Sequence, residues 1–181
     1  MLLYLALGGL GALAALALIA FVVGGRLPST YTARGSMRLA LEPQALWDAL
    51  ADVEAHPRGA AMTRAVERLP DVDGRPSWAE DLGQTTVTWT AVEWEPPRRM
   101  VCEARDSVVP MTARWEFELV PLDGATSLRV ASEVVIADGT WHVPLFRVMM
   151  NLTNGARRGL TDFLKRVDSS LDPRSVEWEE A

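Results

Sequence analysis

Between Val143 and Leu171 the apolar residues Leu145, Met149, Leu152, Ala156, Leu160, Phe163, Leu164, Val167 and Leu171 recur at steps of three and four. At about 100° per residue this is one stripe of a helix. Arg147, Asn151, Asn154, Arg158, Asp162, Lys165 and Ser169 fall on the opposite, solvent-facing side. Pro144 stands in the first turn, where its missing N–H costs nothing, and Pro173 stops the chain just past the end. The pattern predicts one long amphipathic helix, which needs a broad apolar surface to lie against.

The preceding segments supply such a surface. ARGSMRLAL, from about Ala33, reads as a first strand. EPQALWDALADVEAHP follows as a helix with Pro43 in its first turn, Leu46, Trp47, Leu50 and Val53 on one face, and His56-Pro57 at its end. Further strands are expected at Met62 to Leu69, around Trp78 to Leu82, in TTVTWTAVEWE and in RRMVCEARD, the last two joined through Pro96-Pro97. In TARWEFELV, Trp115, Phe117 and Leu119 alternate with Arg114, Glu116 and Glu118, a period of two with one wet face. After the Asp-Gly turn of PLDGAT, SLRVASEVVI puts Leu128, Val130, Ser132, Val134 and Ile136 on one face. The order is strand, helix, six strands, helix: an α+β domain over residues 33–172 with about seven antiparallel strands. The remainder, 173–181, is a short acidic tail expected to be loose.

The chain opens differently. Leu2 to Val23 is free of charge, long enough as a helix to cross the roughly 30 Å hydrocarbon core of a bilayer. No Lys or Arg precedes the run, and VVGG is a poor cleavage site, so a retained anchor over 1–25 fits better than a signal peptide. Residues 26–32 are a linker. Arg26, Arg34 and Arg38 follow the run, a bias that points to a single-pass membrane protein with its domain in the cytoplasm.

Charge and chemistry narrow the function classes. All 24 acidic and 18 basic residues lie after residue 25, giving a net charge of −6 and no basic face for nucleic acid. The single cysteine, Cys102, excludes an intramolecular disulfide and a thiolate cluster; in a strand it reads as a small buried hydrophobe. His56 and His142 have no spacing that suggests a metal site, and nothing in the motifs calls for a cofactor.

The element order, with Glu42-Pro43 before Leu46-Trp47 and with Pro97, Arg99, Met100 and Val101 between two strands, resembles the START-like helix-grip superfamily (SRPBCC, polyketide cyclase/dehydrase type). The resemblance spans residues 33–171; its motifs mark fold rather than chemistry, and the N-terminal run is no part of it. It implies a curved sheet wrapped around the last helix, an apolar cavity between them, and a lipid, sterol, hormone or polyketide as ligand or substrate.

Candidate lining residues follow from the faces. Trp89, Trp115 and Phe117 project inward from strands, and Met149, Met150, Thr153 and Arg157 come from the long helix, Arg157 placed to meet a ligand's acidic group at the mouth. Each has an ordinary alternative in core packing or a solvated flank. Gly155 and Gly159 either leave room for a ligand or let the helix approach the sheet. Glu93, if on the side of Trp89, is a candidate acid–base group, unless a bulge turns it to water; His142 is the second candidate, unless its loop leaves it in solvent. The leading expectation is a membrane-tethered binding module for a hydrophobic small molecule or lipid. A cyclase- or dehydratase-like enzyme using the same cavity, and a membrane-proximal scaffold with a collapsed pocket, stay open beside it.

Overall fold

The computed structural model describes residues 15, 17–55, 63–167 and 175–179. Eight strands form one antiparallel sheet: β1 Thr30–Leu39, β2 Ala65–Val72, β3 Arg75–Asp81, β4 Thr86–Glu95, β5 Arg99–Asp106, β6 Met111–Leu122, β7 Ala125–Ile136 and β8 Glu177–Trp178. Helix α1, Pro43–Ala51, follows β1; α2, Val143–Thr153, and α3, Gly155–Val167, follow β7. The strand order is β2-β3-β4-β5-β6-β7-β1-β8, so every loop from β2 to β7 is a hairpin, and β1 is held between two strands distant in sequence, β7 and β8. Asp73 and Gly74, both at positive φ (51° and 73°), make the two-residue turn between β2 and β3, the geometry that suits the twist of paired strands.

One face of the sheet carries the core. Met37 and Leu39 of β1, Trp115, Phe117 and Leu119 of β6, and Leu128, Val130, Val134 and Ile136 of β7 are buried on it, as their alternation requires. α1 lays Leu46, Trp47 and Leu50 against that face. From α3, Ala156, Leu160, Phe163 and Leu164 do the same.

Four expectations need correction. The C-terminal stripe does not form one long helix. Asn154 adopts the left-handed conformation (φ 50°, ψ 57°) and ends α2, and its carbonyl accepts from the Arg158 N–H (2.9 Å) to start α3. The break turns the two halves to different faces. Leu145, Met149 and Leu152 are exposed, while Val143, Arg147 and Met150 face inward. Arg147, expected in solvent, is buried: its guanidinium donates to the Ile136 carbonyl (2.7 Å) and pairs with Asp138 (3.0 Å). The tail is not loose throughout, because β8 pairs with β1 at Gly35 and Ser36 and makes the eighth strand. Small adjustments also apply: β1 begins at Thr30, inside the expected linker, and β2 at Ala65.

At the N-terminus residues 17–24 are helical. No helix among the described residues is long and apolar enough to cross a membrane, and residues 1–14 and 16 of the expected anchor lie outside them, as does His56.

Candidate functional site

The space between the sheet and α3 is where the fold would hold a ligand. Its wall is aromatic. Trp78 of β3 stacks on Trp89 of β4 (centroids 6.0 Å, planes 9° apart), and Trp89 meets Trp115 of β6 at 4.6 Å. Trp115 and Phe117 both contact Phe163 of α3, at 5.2 and 5.3 Å. Trp89 and Trp115 come from strands that are not neighbours. They touch because β5, between them, presents the small Cys102 and Ala104 at this level of the face, paired with Trp115 and Trp89 respectively. Gly159 of α3 faces the same ring from the other side, and a Cβ there would meet Trp115 at an ordinary contact distance of 3.5 Å.

These rings nearly fill the interior. The hollow left among Leu50, Trp78, Glu80, Trp89, Trp115 and Phe163 measures about 10 Å³, room for about one water. Pockets for small-molecule ligands run to roughly 300–1,000 Å³. The hollow at this place is therefore far smaller than the cavity that the resemblance implies.

Two features set this interior apart from an inert core. The Nε1–H groups of Trp78, Trp89 and Trp115 are all buried without a hydrogen-bond acceptor among the described residues. Each such group costs about 1–3 kcal/mol when left unmet. Glu80, buried on the same face of β3 two residues from Trp78, adds a carboxylate to the lining. Neither Trp78 nor Glu80 was singled out from the sequence. The alternation of Trp78 and Glu80 in RPSWAED was the available signal.

The expected site residues divide. Trp89, Trp115 and Phe117 are inside, and Met150 is buried beside Gly155. Met149 and Thr153 are exposed on α2, with the Thr153 hydroxyl donating to the Met149 carbonyl (2.8 Å). Arg157 is exposed with its guanidinium over the Trp178 ring (4.7 Å), away from the hollow. His142 stands just before α2 at the surface without a side-chain bond to the helix, its ring nitrogen 3.1 Å from the Thr140 hydroxyl.

Glu93 is on the wrong side for an interior acid. A bulge at Val92 shifts the β4–β5 register, so that Ala91 faces Cys102 but Glu93 faces Val101 on the outer surface. There Arg99 donates to it at 2.7 Å and Arg114 stands 3.6 Å away. The Arg99 hydrogen bond holds its carboxyl below the usual value, the reverse of what a buried general acid requires. The same bulge brings Trp94 inward, where it meets Trp47 edge-on at 5.1 Å. A bulge thus explains why β4 is apolar on both faces.

A larger hollow of about 190 Å³ lies outside, among Arg34, Arg99, Glu116, Glu118, Arg129 and Glu179. Its charges answer one another, Arg99 to Glu116 at 3.0 Å and Arg129 to Glu118 at 3.3 Å, and it has no excess of either sign to recognise a ligand. Among the described residues no cluster of His, Cys, Asp or Glu is fit to hold a metal.

Comparison by sequence with protein-family profiles and with characterised proteins finds no match. Solved structures do match. The chain is similar to the Zhui aromatase/cyclase from Streptomyces sp. R1128, with TM-score 0.60, 18% identity, and 77% of this chain covering 93% of that one. It is similar to a conserved protein from Geobacillus kaustophilus, with TM-score 0.58, 14% identity, and 82% of this chain covering 99% of that one. A START superfamily protein from Mycobacterium smegmatis matches at TM-score 0.51 and 18% identity, with 72% of this chain covering 96% of that one. At these identities the likeness carries the fold alone: the described residues from β1 onward adopt a helix-grip fold like that of the matched structures.

Proposed function

We propose that this chain is a binding module for a hydrophobic small molecule or lipid, admitted between the sheet and the C-terminal helices. The observation that carries the reading is the set of three buried indole N–H groups without a partner among the described residues, on rings that line one small hollow. A flat apolar ligand bearing oxygen acceptors would satisfy them. Entry requires the interior to open, and the left-handed joint at Asn154 lets α3 move without unwinding α2.

We place the module at a membrane, tethered by residues 2–23, with the domain in the cytoplasm. The charge-free run and the arginines after it support this reading.

A second reading, a cyclase- or dehydratase-like enzyme, rests on Glu80 rather than on Glu93 or His142. Glu80 is the carboxylate among the hollow's lining residues. Native mass spectrometry after mild extraction of the full chain tests the binding reading: a co-purified apolar molecule bound one to one is expected. A bare, stable chain overturns it and leaves the scaffold with a collapsed pocket. The enzyme reading needs turnover that falls at least tenfold in Glu80→Gln, about 1.4 kcal/mol of barrier.

A further inference from the structure

α2 turns an apolar stripe away from the core. Leu145, Met149 and Leu152 share one face of α2 and are 36%, 47% and 79% exposed, and Trp141, two residues ahead of the helix, is 75% exposed. Apolar surface gathered in this way marks a contact site.

Its position says what it meets. Gly24, at the end of the helical residues 17–24, packs so closely on the Pro144 carbonyl that a side chain there has no room. The close of the uncharged run therefore abuts the first turn of α2, and Phe21, Val22 and Val23 remain exposed beside it. Two hydrogen bonds bring more of the chain to the same end of the sheet. Ile136 N–H donates to the Ser29 carbonyl (2.7 Å), and Ala137 N–H donates to the Pro110 carbonyl (2.8 Å), next to exposed Val108. The other exposed large hydrophobics among the described residues outside this end, Val72 and Leu122, sit at turns at the opposite end of the strands.

We infer that this end of the domain rests on a lipid bilayer, with the Leu145–Leu152 face of α2 and the neighbouring Trp141 lying in the headgroup boundary. The inference builds on the tether proposed above, since a run that enters a bilayer carries its neighbour to the surface. An interfacial helix needs an apolar face and benefits from an aromatic ring at headgroup level, the place Trp141 takes. The joint at Asn154 follows Leu152 by two residues, so α3 would hinge at the membrane surface, where an apolar ligand leaves lipid.

The test uses the full chain reconstituted in phosphatidylcholine vesicles with brominated acyl chains. A nitrobenzoxadiazole label is placed at Leu152→Cys or, for comparison, at Lys165→Cys on the exposed side of α3; buried Cys102 stays unlabelled. Bromine should quench the label at position 152 at least twofold more than the label at 165. Equal quenching in protein that still floats with vesicles through alkaline carbonate overturns the docking alone. Failure to float overturns the tether and the docking together. A label at 152 that is shielded from water but indifferent to bromine reports a second protein copy on this face, and also overturns it.

Discussion

Trp89 and Trp115 lie 4.6 Å apart, centroid to centroid, although β5 runs between their strands. The contact exists because Ala104 and Cys102 withdraw from the space above β5. With Phe163 closing from α3, large rings do the work that a ligand would do in an open grip. The same rings hold the unmet donors, so the closed interior is both well packed and polar in an unresolved way. The following outcomes are expected from this arrangement.

Arg147 anchors α2 to the end of β7. It is 5% exposed, and its removal strands the local packing and the Ile136 carbonyl. Arg147→Ala should cost roughly 2–4 kcal/mol in denaturant unfolding. Asp138→Asn should cost less than about 1 kcal/mol, because that partner's side chain is 90% exposed. Equal losses in the two variants would show that the ion pair, not the buried hydrogen bond, holds the helix.

Asn154 tolerates φ 50° better than a residue with a bulkier or non-bonding side chain. Asn154→Ala should lower stability by about 1 kcal/mol, and Asn154→Gly should hold or raise it. Circular dichroism together with thermal unfolding reads both. A more stable alanine variant would mean that the chain prefers one continuous helix.

Cys102 is buried, and burial pushes its thiol up to about 12. At pH 8 roughly one molecule in ten thousand is then thiolate. Alkylation by iodoacetamide should be at least about a hundredfold slower in the folded chain than in denaturant. Similar rates in both would place the thiol at the surface.

Glu93 gives the fold an acid-sensitive contact. The Arg99 hydrogen bond depresses its folded pKa, and nearby Arg114 adds to this. A depressed carboxylate contributes stability that is fully present above its unfolded pKa, near 4.3, and is lost as pH falls through the folded value. Glu93→Gln should therefore flatten the fall of stability below about pH 4.5 by less than about 1 kcal/mol, since both side chains are partly exposed. A variant whose acid profile matches the parent's would remove Glu93 from the account.

Legibility in the sequence followed the strength of local pattern. β6 and β7 alternate strictly, so Trp115, Phe117 and Val130 could be placed inside from spacing alone. Pro43 with Leu46, Trp47 and Leu50 likewise marked α1. Features set by tertiary contact were not visible in this way. The apolar step from Leu152 to Ala156 fits a straight helix, yet Asn154 breaks it, and it is Arg147 and Met150 that α2 buries. A single bulge at Val92 reversed Glu93, and periodicity has no marker for a one-residue insertion. β8 is two residues long and owes its place to edge pairing with β1. The hollow's size is a sum over many side-chain volumes, which no spacing reveals.

The central claim, that the interior opens to hold an apolar ligand on its indole donors, is read most directly from the indole N–H signals of the ¹⁵N-labelled chain. The probe is 2-naphthol, a flat ring with one oxygen. The signals of Trp78, Trp89 and Trp115 should shift together and saturate, while exposed Trp141 stays in place. If those three remain unmoved up to the probe's solubility limit, the interior is a closed core and the claim is contradicted.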